Sequence, residues 1–158
     1  MENTAADTTP ERPRALLGWR LLALFYDLWP VVALWFLTAV PFVLLDVVLS
    51  GDTRHNIAPL SPLWWLLWLA CWAVAGLYAT LSWRHGGQTL GMRPWRIRVV
   101  ARDGGAPGRG AAWLRFAVAT LSLAAGGLGF WWAWFDREHL TWHDRASGTR
   151  VLRVPKRR

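Results

Sequence analysis

Residues 16–45, LLGWRLLALFYDLWPVVALWFLTAVPFVLL, form an apolar run that contains two charged residues. A helix rises about 1.5 Å per residue, so this run is long enough to cross the roughly 30 Å of a bilayer's hydrocarbon core. Arg20 lies near its start, and Asp27 lies two helical turns further in, where a carboxylate is costly to bury. The two side chains share a helix face but are about 10 Å apart along the axis. We therefore expect each charge to find its partner elsewhere in the fold.

The rest of the composition indicates an integral membrane protein. Of the 158 residues, 54% are hydrophobic, and they are gathered into blocks rather than spread along amphipathic patterns. The 14 tryptophans fit side chains that favour membrane interfaces. We predict an all-α membrane protein with two transmembrane helices, at about 16–45 and 63–83, and a third helical segment at about 111–135.

The ends of the chain differ from this membrane domain, which we place at 15–154. Residues 1–14 are polar and contain two prolines, which predicts a disordered tail. Residues 155–158 form a basic tail. The single cysteine, Cys71, lies within an apolar block and provides neither a disulfide framework nor a cysteine-based metal site. We expect no metal site and no cofactor.

The net charge of +8 indicates how the chain is oriented in the membrane. Arginines concentrate beside the apolar blocks, as in juxtamembrane segments, so we expect anionic lipid headgroups rather than nucleic acid as partners. Arg12, Arg14 and Arg20 flank the first helix and predict a cytoplasmic N-terminus. The segment after the second helix is strongly basic, which is consistent with two crossings.

The third apolar run has two interpretations. It is interrupted by Ala124–Gly129, AAGGLG, which weakens a helix. A single crossing would place the arginine-rich C-terminus outside, against the positive-inside rule. A re-entrant hairpin would return it to the cytoplasm, and we favour that interpretation. It would also allow two alternating segments, at about 95–100 and 149–154, to pair as a small cytoplasmic sheet.

Polar motifs follow the helices in a fixed order. After Arg20 and Asp27, Arg115 opens the third apolar run. The other motif residues are Gly87, Gln88, Thr89 and Gly91 after the second helix, and His143, Asp144, Gly148 and Thr149 near the C-terminus. The chain resembles the RDD family of bacterial membrane proteins, which is named for one arginine and two aspartates. In this resemblance Arg20, Asp27 and Asp144 match the family positions, whereas Met92 stands where a basic residue is expected.

The resemblance implies a multi-pass protein of the bacterial plasma (inner) membrane and leaves the activity open. Some members are regarded as candidate monovalent cation/proton exchangers, and most have no assigned activity. We expect Arg20 and Asp144 to meet at the cytoplasmic mouth of an intramembrane polar cluster. Asp27 is expected to face inward, near Arg115 or near the carbonyl of Tyr26, which Pro30 deprives of its helical donor.

Two functions remain open for this cluster. It is either a structural lock in an accessory membrane module, or a transport site in which Asp27 binds a proton or a small cation. His143 beside Asp144 is not supported by a second histidine at metal-ligand spacing, and there is no nucleophile motif, so we expect no enzyme. Because so few spans cannot enclose a pore, a homo-oligomer or a partner membrane protein is expected.

Overall fold

The structure is a computed structural model that describes residues 16–51 and 56–154. The predicted disordered tail (1–14) and the basic tail (155–158) lie outside the described residues. The fold is mostly helical with one small sheet, as the sequence predicts. The elements in chain order are α1 (Leu17–Ser50), α2 (Pro62–His85), β1 (Ile97–Ala101), α3 (Arg109–Ala124), α4 (Leu128–Phe135), α5 (Trp142–Ser147) and β2 (Thr149–Arg153).

Helices α1 and α2 are both long and apolar enough to span a membrane. Large apolar side chains on α1 have no cover from the rest of the fold: Trp29, Phe36 and Leu37 are each at least 70% exposed. Such a surface on a long helix suits a lipid environment, because lipid tails are as apolar as the side chains. The prediction of two membrane-spanning helices therefore agrees with the length, composition and exposure of α1 and α2.

Helix α1 is longer than predicted and continues to Ser50 instead of ending near Leu45. It passes through Pro30 and Pro41, each of which removes a backbone hydrogen-bond donor from the helix. In an apolar environment the backbone has no alternative hydrogen-bond partners, so a helix survives a proline that would break it in water. Helix α1 ends at Gly51, whose backbone has φ 70° and whose N–H donates to the Val47 carbonyl.

Helix α2 packs between α1 and α3. The indole N–H of Trp35 on α1 donates to the Cys71 carbonyl at 2.9 Å. On its other side, α2 presents Gly76 to the rings of Trp113 and Phe116 on α3, and a Cβ at Gly76 would lie 2.9 Å from the Phe116 ring. A side chain at this position would therefore separate the two helices.

The third apolar run forms two helices rather than one. Helices α3 and α4 meet at an angle of 98°. Between them, Gly126 and Gly127 adopt φ values of 69° and 80°, which side chains with a Cβ rarely adopt. The prediction of a glycine-broken helical segment is confirmed, and the predicted range 111–135 becomes Arg109–Ala124 and Leu128–Phe135.

The two predicted strands pair as an antiparallel sheet, with Val99 opposite Val151. Strand β1 begins at Ile97, two residues later than predicted, because Arg96 has φ 52° and donates its N–H to the Arg93 carbonyl in a turn. The inner face of the sheet packs against α1 and the segment after α2. This core consists of Ala23, Met92, Ile97, Val99 and Val151.

Candidate functional site

The Asp144 centre, named here for the carboxylate at its middle, brings together five polar residues from four elements. The Asp144 carboxylate accepts from the Arg20 guanidinium at 2.6 Å through Oδ2 and from the Arg115 guanidinium at 2.5 Å through Oδ1. Arg115 also donates to the Thr149 hydroxyl at 2.6 Å, and Arg20 donates to the Thr141 hydroxyl at 3.3 Å. Asp144 is fully buried, and both arginines are buried with it. One carboxylate thus ties α1, α3, α5 and the start of β2 together.

The N-terminus of helix α5, which carries Asp144, is stabilised by hydrogen bonds between Thr141 and Asp144. Thr141 precedes the helix, and its hydroxyl accepts from the Asp144 N–H at 3.3 Å, while Asp144 Oδ2 accepts from the Thr141 N–H at 3.1 Å. This reciprocal pattern is a capping box. Helix α5 is not among the predicted elements, although Thr141-Trp-His-Asp144 has the spacing of such a box. Gly148, with φ 61°, ends the helix.

The electrostatic balance of the Asp144 centre favours an ionised carboxylate. Burial raises the pKa of Asp144, but the Arg115 and Arg20 guanidiniums outweigh burial and hold that pKa below its usual range. With two guanidiniums and one carboxylate, the centre carries one excess positive charge. A further positive charge beside it would therefore be unfavourable.

His143 lies next to this centre and is also buried. Its ring packs on Phe130 with centroids 4.8 Å apart, and its Nδ1 has no hydrogen-bond partner among the described residues. Burial, and then the positive charge of Arg115, lower the pKa of His143 well below its usual value. His143 is therefore neutral at physiological pH, and its role here is packing.

A second centre, the Asp27 centre, consists of Asp27, Tyr78, Thr89 and Gly91. The Asp27 carboxylate accepts from the Tyr78 hydroxyl at 2.7 Å, from the Thr89 hydroxyl at 2.5 Å and from the Gly91 N–H at 2.8 Å. The Tyr78 oxygen in turn accepts from the Leu90 N–H at 3.0 Å. The carboxylate thus joins α1 to α2 and to the segment that follows α2.

The Gly-Gln-Thr-Leu-Gly motif provides this segment with its close contacts. Gly91 lies so close to α1 that a Cβ there would overlap the Ala23 carbonyl and lie 2.7 Å from Asp27 Cγ. Gly87, with φ 73°, accepts from the Val99 N–H at 2.7 Å, and the Gln88 amide donates to the Ile97 carbonyl at 2.8 Å. One end of the motif therefore holds α1, and the other end holds β1.

The structure distributes the sequence-predicted site residues over two centres rather than one. Arg20, Arg115 and Asp144 lie together, whereas Asp27 binds neutral donors. Of the two neighbours expected for Asp27, Arg115 donates to Asp144 and Thr149 instead, and no ion pair joins it to Asp27 among the described residues. Tyr78 and Thr141 were missed. Thr141 had the capping spacing as a signal, but Tyr78 had only its hydroxyl within an apolar helix.

The comparison with known families finds one matching family model. The model of the RDD family matches residues 14–148. The chain belongs to the RDD family. The matched range includes Arg20 and Asp27 on α1 and Asp144 on α5. No curated protein and no solved structure matches this RDD protein.

Neutralising Asp144 tests the first centre of the RDD protein. We expect Asp144→Asn to lower the free energy of unfolding by about 3–5 kcal/mol, because both arginines would remain buried without a counter-charge. The matched control is Arg145→Gln, which removes a half-exposed arginine from Asp136; because the buried Asp136 carboxylate keeps the Glu138 and Leu140 N–H donors, the loss should be about 0–1 kcal/mol. Thermal and denaturant unfolding of detergent-solubilised protein measures both changes. Equal losses in the two variants would contradict the proposed importance of Asp144.

The neutral state of His143 predicts a pH dependence of stability. The unfolded chain binds a proton at the usual histidine pKa of about 6.5, whereas the folded RDD protein resists it, so stability should fall as pH drops below about 6.5. His143→Gln removes this proton and should flatten the slope between pH 7.5 and pH 5.5. The same profile for His85→Gln, at an exposed histidine, is the control for the loss of a histidine elsewhere in the chain. A His143→Gln profile as steep as that of the wild type would contradict the assignment.

Proposed function

We propose that this RDD protein is a structural or accessory module of the bacterial plasma (inner) membrane, with a cytoplasmic N-terminus and no enzymatic activity. The observation that carries the proposal is that both acids, Asp27 and Asp144, are held by donors of the fold itself. Groups held in this way fix helices and loops in one arrangement. Such a module acts with others, as a homo-oligomer or with a partner membrane protein, in contact with anionic lipid headgroups.

The pairing of β1 with β2 supports a re-entrant α3–α4 hairpin. Strand β1 is the next element after α2, and β2 comes after α3, α4 and α5. Hydrogen-bonded strands lie on the same side of a membrane, so the chain between them returns to the side from which it left. The 98° bend at Gly126 and Gly127 provides the turning point.

The distribution of basic residues supports the cytoplasmic assignment of this sheet. Six arginines lie in the segment from the last turn of α2 to the first residue of α3, whereas Arg54 is the only arginine or lysine in residues 46–62. By the positive-inside rule the first segment is cytoplasmic and the second is external. The arginines of the first segment are Arg84, Arg93, Arg96, Arg98, Arg102 and Arg109.

The sidedness of the C-terminus tests this topology. A reporter fused after Arg158 that is active only in the cytoplasm should give a signal, and one that is active only outside should be silent. A second fusion within residues 52–55, between the two spans, should give the opposite pattern and serves as the matched control. An external C-terminus would require three full crossings and would contradict the proposed hairpin.

Cation/proton transport is a second candidate, and the surroundings of Asp27 favour it. Its carboxylate lies about 15 Å along α1 from the helix start, and its hydrogen bonds come from two hydroxyls and one backbone N–H. No described arginine or lysine lies within ion-pair distance of it. A carboxylate surrounded by oxygen atoms is suited to accept a proton or a monovalent cation in place of a hydroxyl donor.

Flux measurements separate the two functions. For an accessory module, proteoliposomes with purified wild-type protein should show no sodium- or potassium-driven proton movement above that of empty vesicles. For a transporter, the wild type should drive proton movement, Asp27→Asn should abolish it, and Tyr78→Phe, which keeps the charge, should retain part of it. Flux in the wild type that Asp27→Asn removes, with the fold intact by unfolding assay, would overturn the accessory function.

A further inference from the structure

An apolar groove lies open at the start of α1. Its volume is about 390 Å³, and its lining is almost entirely apolar. Gly18 forms part of the wall, and the space where its Cβ would lie is empty. The lining residues are Leu16, Leu17, Gly18, Trp19 and Leu22.

A cation is fixed at the edge of this groove. The Arg153 guanidinium lies over the Trp19 ring, 5.2 Å from its centroid. Trp19 packs on Trp95 at 5.1 Å, and Tyr26 meets Trp95 edge-on at 5.7 Å. The arginine therefore packs on an aromatic cluster that includes Trp19, which forms one wall of the groove.

A second arginine lies close by along the backbone. The Val154 N–H donates to the Arg96 carbonyl at 2.7 Å, which places Arg96 beside the end of β2 that carries Arg153. Both arginines are exposed. The ion pairs among the described residues use Arg20, Arg115 and Arg145, so Arg96 and Arg153 have no carboxylate partner there.

We propose that this groove and Arg153 bind one anionic phospholipid, with an acyl chain along the groove and the phosphate at the guanidinium. The proposal rests on the proposed membrane orientation, which places the start of α1 at the cytoplasmic leaflet. An apolar groove beside a fixed, unpaired guanidinium complements a molecule that is apolar at one end and anionic at the other. Guanidinium groups match phosphate geometry, and tryptophan favours the interface where headgroups meet acyl chains.

Lipid retention by the detergent-solubilised protein tests the proposal. Native mass spectrometry with added phosphatidylglycerol or phosphatidylcholine counts bound lipids and ranks their affinities. Arg153→Gln should weaken phosphatidylglycerol binding about fivefold and leave phosphatidylcholine binding unchanged, since one basic residue near a headgroup contributes about that ratio. Gly18→Leu fills the groove and should weaken binding of both lipids. Arg109→Gln, at another exposed arginine, is the matched control and should bind as the wild type does.

Two outcomes would overturn the proposal. Equal losses in Arg153→Gln and Arg109→Gln would indicate diffuse attraction to a basic surface rather than a site. Unchanged binding of both lipids by Gly18→Leu would exclude an acyl chain in the groove. If Arg153→Gln does not fold, Arg153→Lys replaces it and should still weaken phosphatidylglycerol binding, because lysine lacks the planar fork. The assay is carried out in detergent without a bilayer, so a negative result would not change the interpretation of the reporter-fusion experiment on topology.

Discussion

The Asp144 carboxylate is the constraint on which the rest of the structure depends. It is shared by Arg20 and Arg115, which come from helices at opposite ends of the sequence. A buried ion pair adds little net stability, since desolvation offsets attraction, but losing one member leaves an uncompensated charge that the fold cannot tolerate. Asp144 therefore determines how the helices are arranged, because α1, α3 and α5 must be placed so that both guanidiniums reach the same carboxylate.

Asp27 supplies a second fixed point on the same helix face. Asp27 lies about 10 Å further along α1 than Arg20, the residue through which Asp144 holds this helix. The two acids together therefore fix the rotation of α1 as well as its position. Asp144 acts through charged donors at the helix start, whereas Asp27 acts through Tyr78, Thr89 and the Gly91 N–H. The segment from Gly87 to Gly91 also connects α1 to the sheet, because the Gly87 carbonyl accepts from the Val99 N–H.

The parts of this fold that depend on local patterns could be predicted from the sequence, and the parts that depend on packing partners could not. The apolar runs, the glycine break and the alternating strands are each visible in a window of a few residues. The partner of Arg115 depends on which elements pack around it, and the sequence does not encode that locally. Met92 illustrates the difference: where the family pattern suggests a basic residue, this chain has a side chain that is buried against the sheet. The extent of α1 was underestimated because the apolar run ends at Leu45, whereas the helix continues through Asp46 to Ser50.

The geometry around Asp27 bears on the choice between a lock and a transport site. A transporting carboxylate must exchange its partners during each cycle. Here the donors are coupled, because the Tyr78 oxygen also accepts from Leu90, and Leu90 lies between Thr89 and Gly91. Gly91 is in such close contact with the Ala23 carbonyl that the segment cannot slide along α1. Moving the segment away from α1 would therefore break the Thr89 and Gly91 hydrogen bonds together and would also disturb the third donor, Tyr78 on α2, through Leu90. That coupling favours a lock, since a site built for rapid exchange would hold its ligand through donors that move independently.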